Sequence, residues 1–133
     1  MIFLDTGAFL ARYLQQDQYH EKALASWEKL RRGSPRCFTS NFVLDETFTL
    51  LGRRMGHARA AERAKNVLSS RVMIVLRPEE SDELEAVELF EKYADQAVSF
   101  TDCVSFVLMR RHRLAQAFSY DRHFRMAGFQ LWG

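Results

Sequence analysis

The chain has 133 residues, enough for one ordinary domain with a single sizeable core. An apolar fraction of 47% against 27% charged residues, with 6 Gly and 2 Pro, excludes a disordered or linker-rich chain. No apolar run approaches the roughly 18 residues of a membrane span, and the apolar N-terminus is too short for a signal segment, so a cytoplasmic protein is expected.

The net charge is only +2, but the charges are sorted along the chain. Residues 51–77 carry Arg53, Arg54, Arg59, Arg63, Lys65, Arg71 and Arg77 against a single acid, Glu62. An acidic stretch from Glu79 to Asp95 follows, and basic residues return at Arg110, Arg111, Arg113, Arg122 and Arg125. Such runs are either solvated helix faces or a surface that meets a polyanion. The 2 cysteines, Cys37 and Cys103, fall in apolar segments without CxxC spacing and read as buried reduced thiols.

Ile2–Leu4 reads as a short buried strand, followed by a short helix over residues 6–14. An amphipathic helix from His20 to Arg32 has Ala23, Leu24, Trp27 and Leu30 on one face and is stopped by Gly33-Ser34-Pro35. Cys37–Thr39 is a second strand. Ser40 then caps a helix that reaches Met55, with Gly56 as its stop. Residues 57–69 form a basic, Ala-rich helix, and Val72–Leu76, rich in β-branched residues, is the clearest strand. The spacing predicts a helix from Asp82 to Ala94 with Leu84, Val87, Phe90 and Ala94 inward and its acids outward. Thr101 is the expected cap of a very apolar helix from Asp102 to about His112. Strands at Ala117–Tyr120 and Phe129–Trp132 complete the pattern. Strands separated by helices indicate an α/β fold with a mainly parallel sheet covered on both faces, spanning residues 1–133 as one domain.

Four acids stand out against this pattern. Asp5 ends the first strand, where an acid serves either as a helix N-cap or as a ligand at the sheet rim. Glu46 shares a helix face with Phe42, Val43 and Leu50, whereas its neighbour Asp45 sides with Asn41 and Thr49 and reads as a surface acid. Asp102 opens a helix with almost no polar face, where the helix dipole alone favours an anion by roughly 0.3–1 kcal/mol. Asp121 follows Ala117–Tyr120 and is either a turn residue or a site residue. Burying carboxylates beside apolar residues is costly unless a cation or donors compensate. Sites in such folds form at the carboxyl ends of strands, so the four acids are expected to converge on one sheet edge. An oxygen-rich set suits Mg²⁺ or Mn²⁺ rather than zinc. The 4 histidines, His20, His57, His112 and His123, show no ligand-like pairing, although His123 lies beside Asp121.

Ile2-Phe3-Leu4-Asp5-Thr6, Ser40 through Glu46, Phe100-Thr101-Asp102-Cys103 and Ala117 through Phe124 together resemble the PIN domain family, and within it the short VapC-type toxins of toxin–antitoxin pairs. The resemblance covers residues 1–132. It implies a three-layer α/β/α sandwich, metal-dependent RNA cleavage, homodimers and an antitoxin partner. It assigns metal-binding or catalytic roles to Asp5, Glu46, Asp102 and Asp121, and supporting hydroxyls to Thr6 and Thr101. In that chemistry Asp5, Asp102 and Asp121 are the nearest ligands, and Glu46 binds through water or orients the attacking water. Arg53, Arg54, Arg110 and Arg122 are the expected phosphate contacts.

Other readings fit less well. An aspartyl-nucleophile phosphatase wants a second acid two residues after the first, and that position is Gly7. A receiver-type domain wants an acidic pair near the first strand. No glycine-rich phosphate loop is present for a nucleotide-binding module. The remaining alternative is a PIN-like adaptor that binds RNA or protein without cleaving.

Overall fold

The computed structural model describes residues 1–133. The first half of the chain forms β1 (Ile2–Leu4), α1 (Thr6–Tyr13), α2 (His20–Gly33), β2 (Cys37–Ser40), α3 (Asn41–Met55) and α4 (His57–Leu68). The second half forms β3 (Met73–Leu76), α5 (Glu80–Lys92), a 3-10 turn (Ala94–Gln96), α6 (Phe100–Arg111), β4 (Gln116–Phe118), α7 (His123–Met126) and β5 (Gln130–Leu131). The five strands make one sheet in the order β3-β2-β1-β4-β5, flanked by helices. Every pairing is parallel, so the sheet is entirely rather than mainly parallel.

The central strand β1 is buried along its whole length, as a strand covered on both faces must be. Helix α6 joins the same core, and its residues Asp102 to Met109 are all buried. A helix apolar all round has no solvent face to offer, so it becomes a core element. Phe106 anchors it, meeting the Phe124 ring edge-on at 5.1 Å and the Tyr93 ring at 6.3 Å. Edge-to-face pairs of this kind contribute roughly 0.5–1.5 kcal/mol each beyond the area they bury.

Helix α5 departs from the expected orientation. Leu84, Val87, Phe90 and Ala94 are exposed, Leu84 by 62%. The inner face is instead Asp82, Ala86, Leu89 and Tyr93. The reason is an ion pair: Asp82 is buried beside the guanidinium of Arg111 on α6 and also accepts from the Glu79 backbone N–H at 2.9 Å. Asp82 and Glu79 form a reciprocal capping box, which starts the helix at Glu80 rather than Asp82. A buried carboxylate left without that cation would be strongly destabilising, so the pair fixes which face turns inward.

The cap of α6 also differs. Ser99, not Thr101, accepts the Asp102 backbone N–H, at 3.0 Å. Asp102 is therefore in the first turn rather than at the boundary. Ser99→Ala is expected to lower the unfolding free energy by about 1 kcal/mol, with Thr101→Ala closer to neutral, as read by urea denaturation. Ser40 caps α3 as expected, its Oγ accepting from Val43 N at 3.1 Å.

Candidate active site

The strand order sets the position of the site. From β1 the chain runs outward through β2 and β3, then returns to the other side of β1 as β4 and β5. A crevice opens where the order reverses, outside the carboxyl ends of β1 and β4. Asp5 is the first residue past β1, and its backbone N–H donates to Phe118 O at the end of β4, 3.1 Å away. Ser119, Tyr120 and Asp121 follow β4 directly. Because α3 begins right after β2, its second turn carries Glu46 over the same edge, while exposed Asp45 points away. The first turn of α6 brings Asp102.

The result is a cleft of about 650 Å³ whose lining includes Asp5, Thr6, Glu46, Asp102, Asp121 and Arg122. Asp5 Oδ2 accepts from Ser119 Oγ at 2.7 Å, and the same Oγ accepts from Asp121 N at 3.0 Å. Ser119 thus ties the acid of β1 to the acid after β4. Asp121 Oδ1 accepts from His123 N at 2.9 Å and lies 3.1 Å from His123 Nδ1. An ionised carboxylate only accepts, so Nδ1 carries the proton in that contact.

Asp5 and Asp102 are both buried. Burial raises the Asp5 pKa to about 6, with the charges of Asp121 and Glu46 adding to the rise and the Ser119 hydrogen bond opposing it. Asp102 is pushed well above the carboxylate range, first by burial, then by its hydrogen bond to Asp121 and by the charges of Asp5, Asp121 and Glu46. Burial also acts upward on Asp121, but its hydrogen bonds with Asp102 and His123 outweigh it and hold the group below its ordinary value. The protonated form is thus favoured at Asp102 and the ionised form at Asp121, as expected of like charges at close range.

Of the residues singled out from sequence, Asp5, Thr6, Glu46, Asp102, Asp121 and Arg122 meet in this cleft. Thr101 does not line it; its carbonyl accepts from Ser105 Oγ at 3.0 Å. Arg110 lies toward the opposite end of α6, where it donates to Ala127 O at 3.0 Å and sits over the Phe129 ring. Arg53 and Arg54 are exposed at the last turn of α3, about 10–12 Å along the axis from Glu46. Sequence reasoning passed over Ser119, Tyr19 and Tyr120. Ser119 has a local signal in retrospect, a hydroxyl two residues before an acid at a strand end.

The donor set fits a hard divalent cation. Carboxylate oxygens of Asp102 and Asp121 and a ring nitrogen of His123 lie within 4.8 Å of one another, and Asp5 and Glu46 share the cleft. The buried Thr6 hydroxyl has no hydrogen-bond partner, leaving one more oxygen at the same place. With Nδ1 turned to Asp121, the oxygens are the better ligands for such a cation.

A parallel sheet with acids from four distant segments gathered at its switch point defines a class of α/β protein, and the chain belongs to the PIN domain family, whose sequence model matches residues 2–130. Within that family it is 37% identical over 129 residues to the 23S rRNA-specific endonuclease VapC20 of Mycobacterium tuberculosis, covering 97% of this chain and 95% of the relative. The crystal structure of that protein, described as a sarcin-ricin loop cleaving toxin, superposes with a TM-score of 0.86 at 35% identity, covering 97% of this chain and 96% of the other. A VapC ribonuclease of Archaeoglobus fulgidus is 29% identical over 125 residues, covering 92% of this chain and 78% of the relative.

Proposed function

We propose that this protein is a Mg²⁺- or Mn²⁺-dependent endoribonuclease, the toxin of a toxin–antitoxin pair. The observation that carries the reading is the meeting of Asp5, Glu46, Asp102 and Asp121 in one cleft, with Asp5 and Asp102 buried, a cluster of like charges that a divalent cation would relieve. Asp5, Asp102, Asp121 and Glu46, which line the same cleft, would hold the cation. When bound, the cation supplies Lewis-acid chemistry, offsetting phosphodiester charge and making water a better nucleophile.

The chain's own groups do the rest. Glu46, half-buried on the α3 wall, accepts a proton from the attacking water. Ser119 holds the Asp5 carboxylate in place through its 2.7 Å hydrogen bond. His123 orients Asp121 through Nδ1 and its backbone N–H. Arg122 at the cleft meets the phosphate next to the cut, and exposed Arg53 and Arg54 meet phosphates further along the RNA.

The cut RNA is structured RNA, and the naming of a relative for 23S rRNA makes a ribosomal RNA stem-loop the first substrate to try. The antitoxin and a second copy of the chain are the protein partners. An apolar groove of about 470 Å³ that includes Leu24, Trp27, Leu30 and Val72, and the exposed Leu84, Val87 and Phe90 of α5, offer apolar area for them. No helix is long and apolar enough to cross a membrane.

The expected result is cleavage of the stem-loop by purified protein with Mn²⁺ or Mg²⁺, arrested by EDTA and restored by excess cation. RNA binding without cleavage under any divalent cation would overturn the nuclease reading in favour of an adaptor.

A further inference from the structure

Beside its acids the cleft carries an aromatic wall that the metal chemistry does not use. The loop between α1 and α2 brings Gln18 and Tyr19 to the rim. Its shape is fixed locally: Asp17 N donates to Leu14 O at 3.0 Å, and Tyr19 N donates to Asp17 Oδ1 at 2.8 Å. The Tyr19 ring lies on that of Tyr120, with centroids 4.3 Å apart and planes within 5° of parallel. Tyr120 in turn rests near Gly7, where an added Cβ would stand 3.7 Å from its ring. Tyr120 is also the residue between Ser119 and Asp121, so the backing ring is anchored in the segment that holds the acids.

One face of Tyr19 is covered by Tyr120, yet the residue remains 37% exposed. A parallel pair of rings, the outer one 37% exposed, at the edge of a cleft lined by acids has the geometry of a stacking surface. Unpaired bases in RNA loops are splayed out and stack on aromatic side chains in this way. Carboxylates nearby repel phosphate but do not repel the neutral face of a base. A cleft of about 650 Å³ has room for one nucleotide beside the acids.

We propose that Tyr19, backed by Tyr120, is the platform on which an unpaired base flanking the scissile phosphate stacks, making Tyr19 a specificity-determining residue. The inference rests on the ribonuclease reading of the same cleft. Because every base has a π-face, stacking selects an unpaired nucleotide over a paired one rather than one base over another. Tyr19 thereby directs the acids toward loops and away from regular duplex.

The test separates binding from cleavage. Affinity for a stem-loop RNA is measured in EDTA, where no cleavage occurs, for wild type, Tyr19→Ala, Tyr19→Phe and Tyr19→Trp. A series of RNAs with single abasic positions along the loop is measured in parallel. Tyr19→Ala is expected to weaken binding about 5- to 100-fold, while Phe and Trp remain near wild type. One abasic position should weaken wild-type binding by a similar factor and have little further effect on Tyr19→Ala, the non-additivity of groups in contact. Unchanged affinity in Tyr19→Ala, additive effects at every abasic position, or a loss in Tyr19→Phe as large as in Tyr19→Ala would overturn the platform. Absence of cleavage when Mn²⁺ is supplied would instead count against the nuclease reading and leave the binding result to stand by itself.

Discussion

Asp102→Asn is expected to abolish RNA cleavage and, in the same protein, to stabilise the metal-free fold. The side chain is buried and faces three other carboxylates, and burial with those charges pushes its pKa far upward. In the metal-free state burial and the facing charges favour the protonated carboxyl at Asp102, which can donate toward Asp121. An asparagine amide donates in the same place without taking up a proton, so the folded state no longer depends on pH at that position. The gain is expected to be roughly 1–3 kcal/mol near pH 8, the scale of relieving an uncompensated buried polar group. As a ligand the neutral amide is much poorer than a carboxylate. Cleavage should therefore fall by roughly three orders of magnitude, comparable to removing a group that stabilises developing charge. Thermal melts and cleavage assays on one preparation read both effects. A variant that melts lower than wild type in EDTA, or that still cleaves at the wild-type rate, would sink the account of Asp102 as a strained ligand.

Much of this site was readable along the chain because each acid sits against an apolar segment. Asp5 ends a buried strand and Glu46 lies on the apolar flank of its helix, and comparing flanks was enough to set Asp45 aside. What stayed hidden depends on which segments become neighbours. Ser119 gains its place by hydrogen bonding to a residue 114 positions away, and only the adjacency of β1 and β4 brings them together. Arg110 looked like a phosphate contact because it is basic, but α6 is buried through Met109 and carries Arg110 toward its far end.

Helix α5 shows the same limit in its core. Two faces of that helix have acceptable spacing: Leu84, Val87 and Phe90, or Asp82, Ala86, Leu89 and Tyr93. Hydropathy favours the first, and an ion pair with Arg111 on a different helix selects the second. The sequence does not state that partner locally, so periodicity alone picked the wrong face. The three apolar side chains left outside are the cost of that choice, and they are accessible to another chain.

The carboxylate cluster also predicts how stability responds to pH. The metal-free protein is expected to lose stability as pH rises from about 4 to 8, in contrast to the acid lability of proteins held by ion pairs. The Asp5 pKa stands at about 6 in the folded protein against 3.8 as the ordinary value. Between those values the folded state binds more protons than the unfolded chain, so raising the pH favours unfolding. The contribution is complete below 3.8 and is lost as pH passes through about 6, amounting to roughly 3 kcal/mol for a change of this size. Asp102, raised further, extends the loss to higher pH. Asp121 is lowered and acts with the opposite sign, but its effect falls below its ordinary value of 3.8 and so outside this window. Divalent cation should reverse the trend, because ligating carboxylates must be deprotonated and cation binding therefore displaces the protons that burial retains. At 100 times its dissociation constant Mn²⁺ is expected to add about 2.7 kcal/mol, with a larger rise in Tm at pH 8 than at pH 5. Calorimetry with and without Mn²⁺ across that range decides the matter. A Tm that is flat with pH and indifferent to Mn²⁺ would mean that the four acids do not form one coupled cation site.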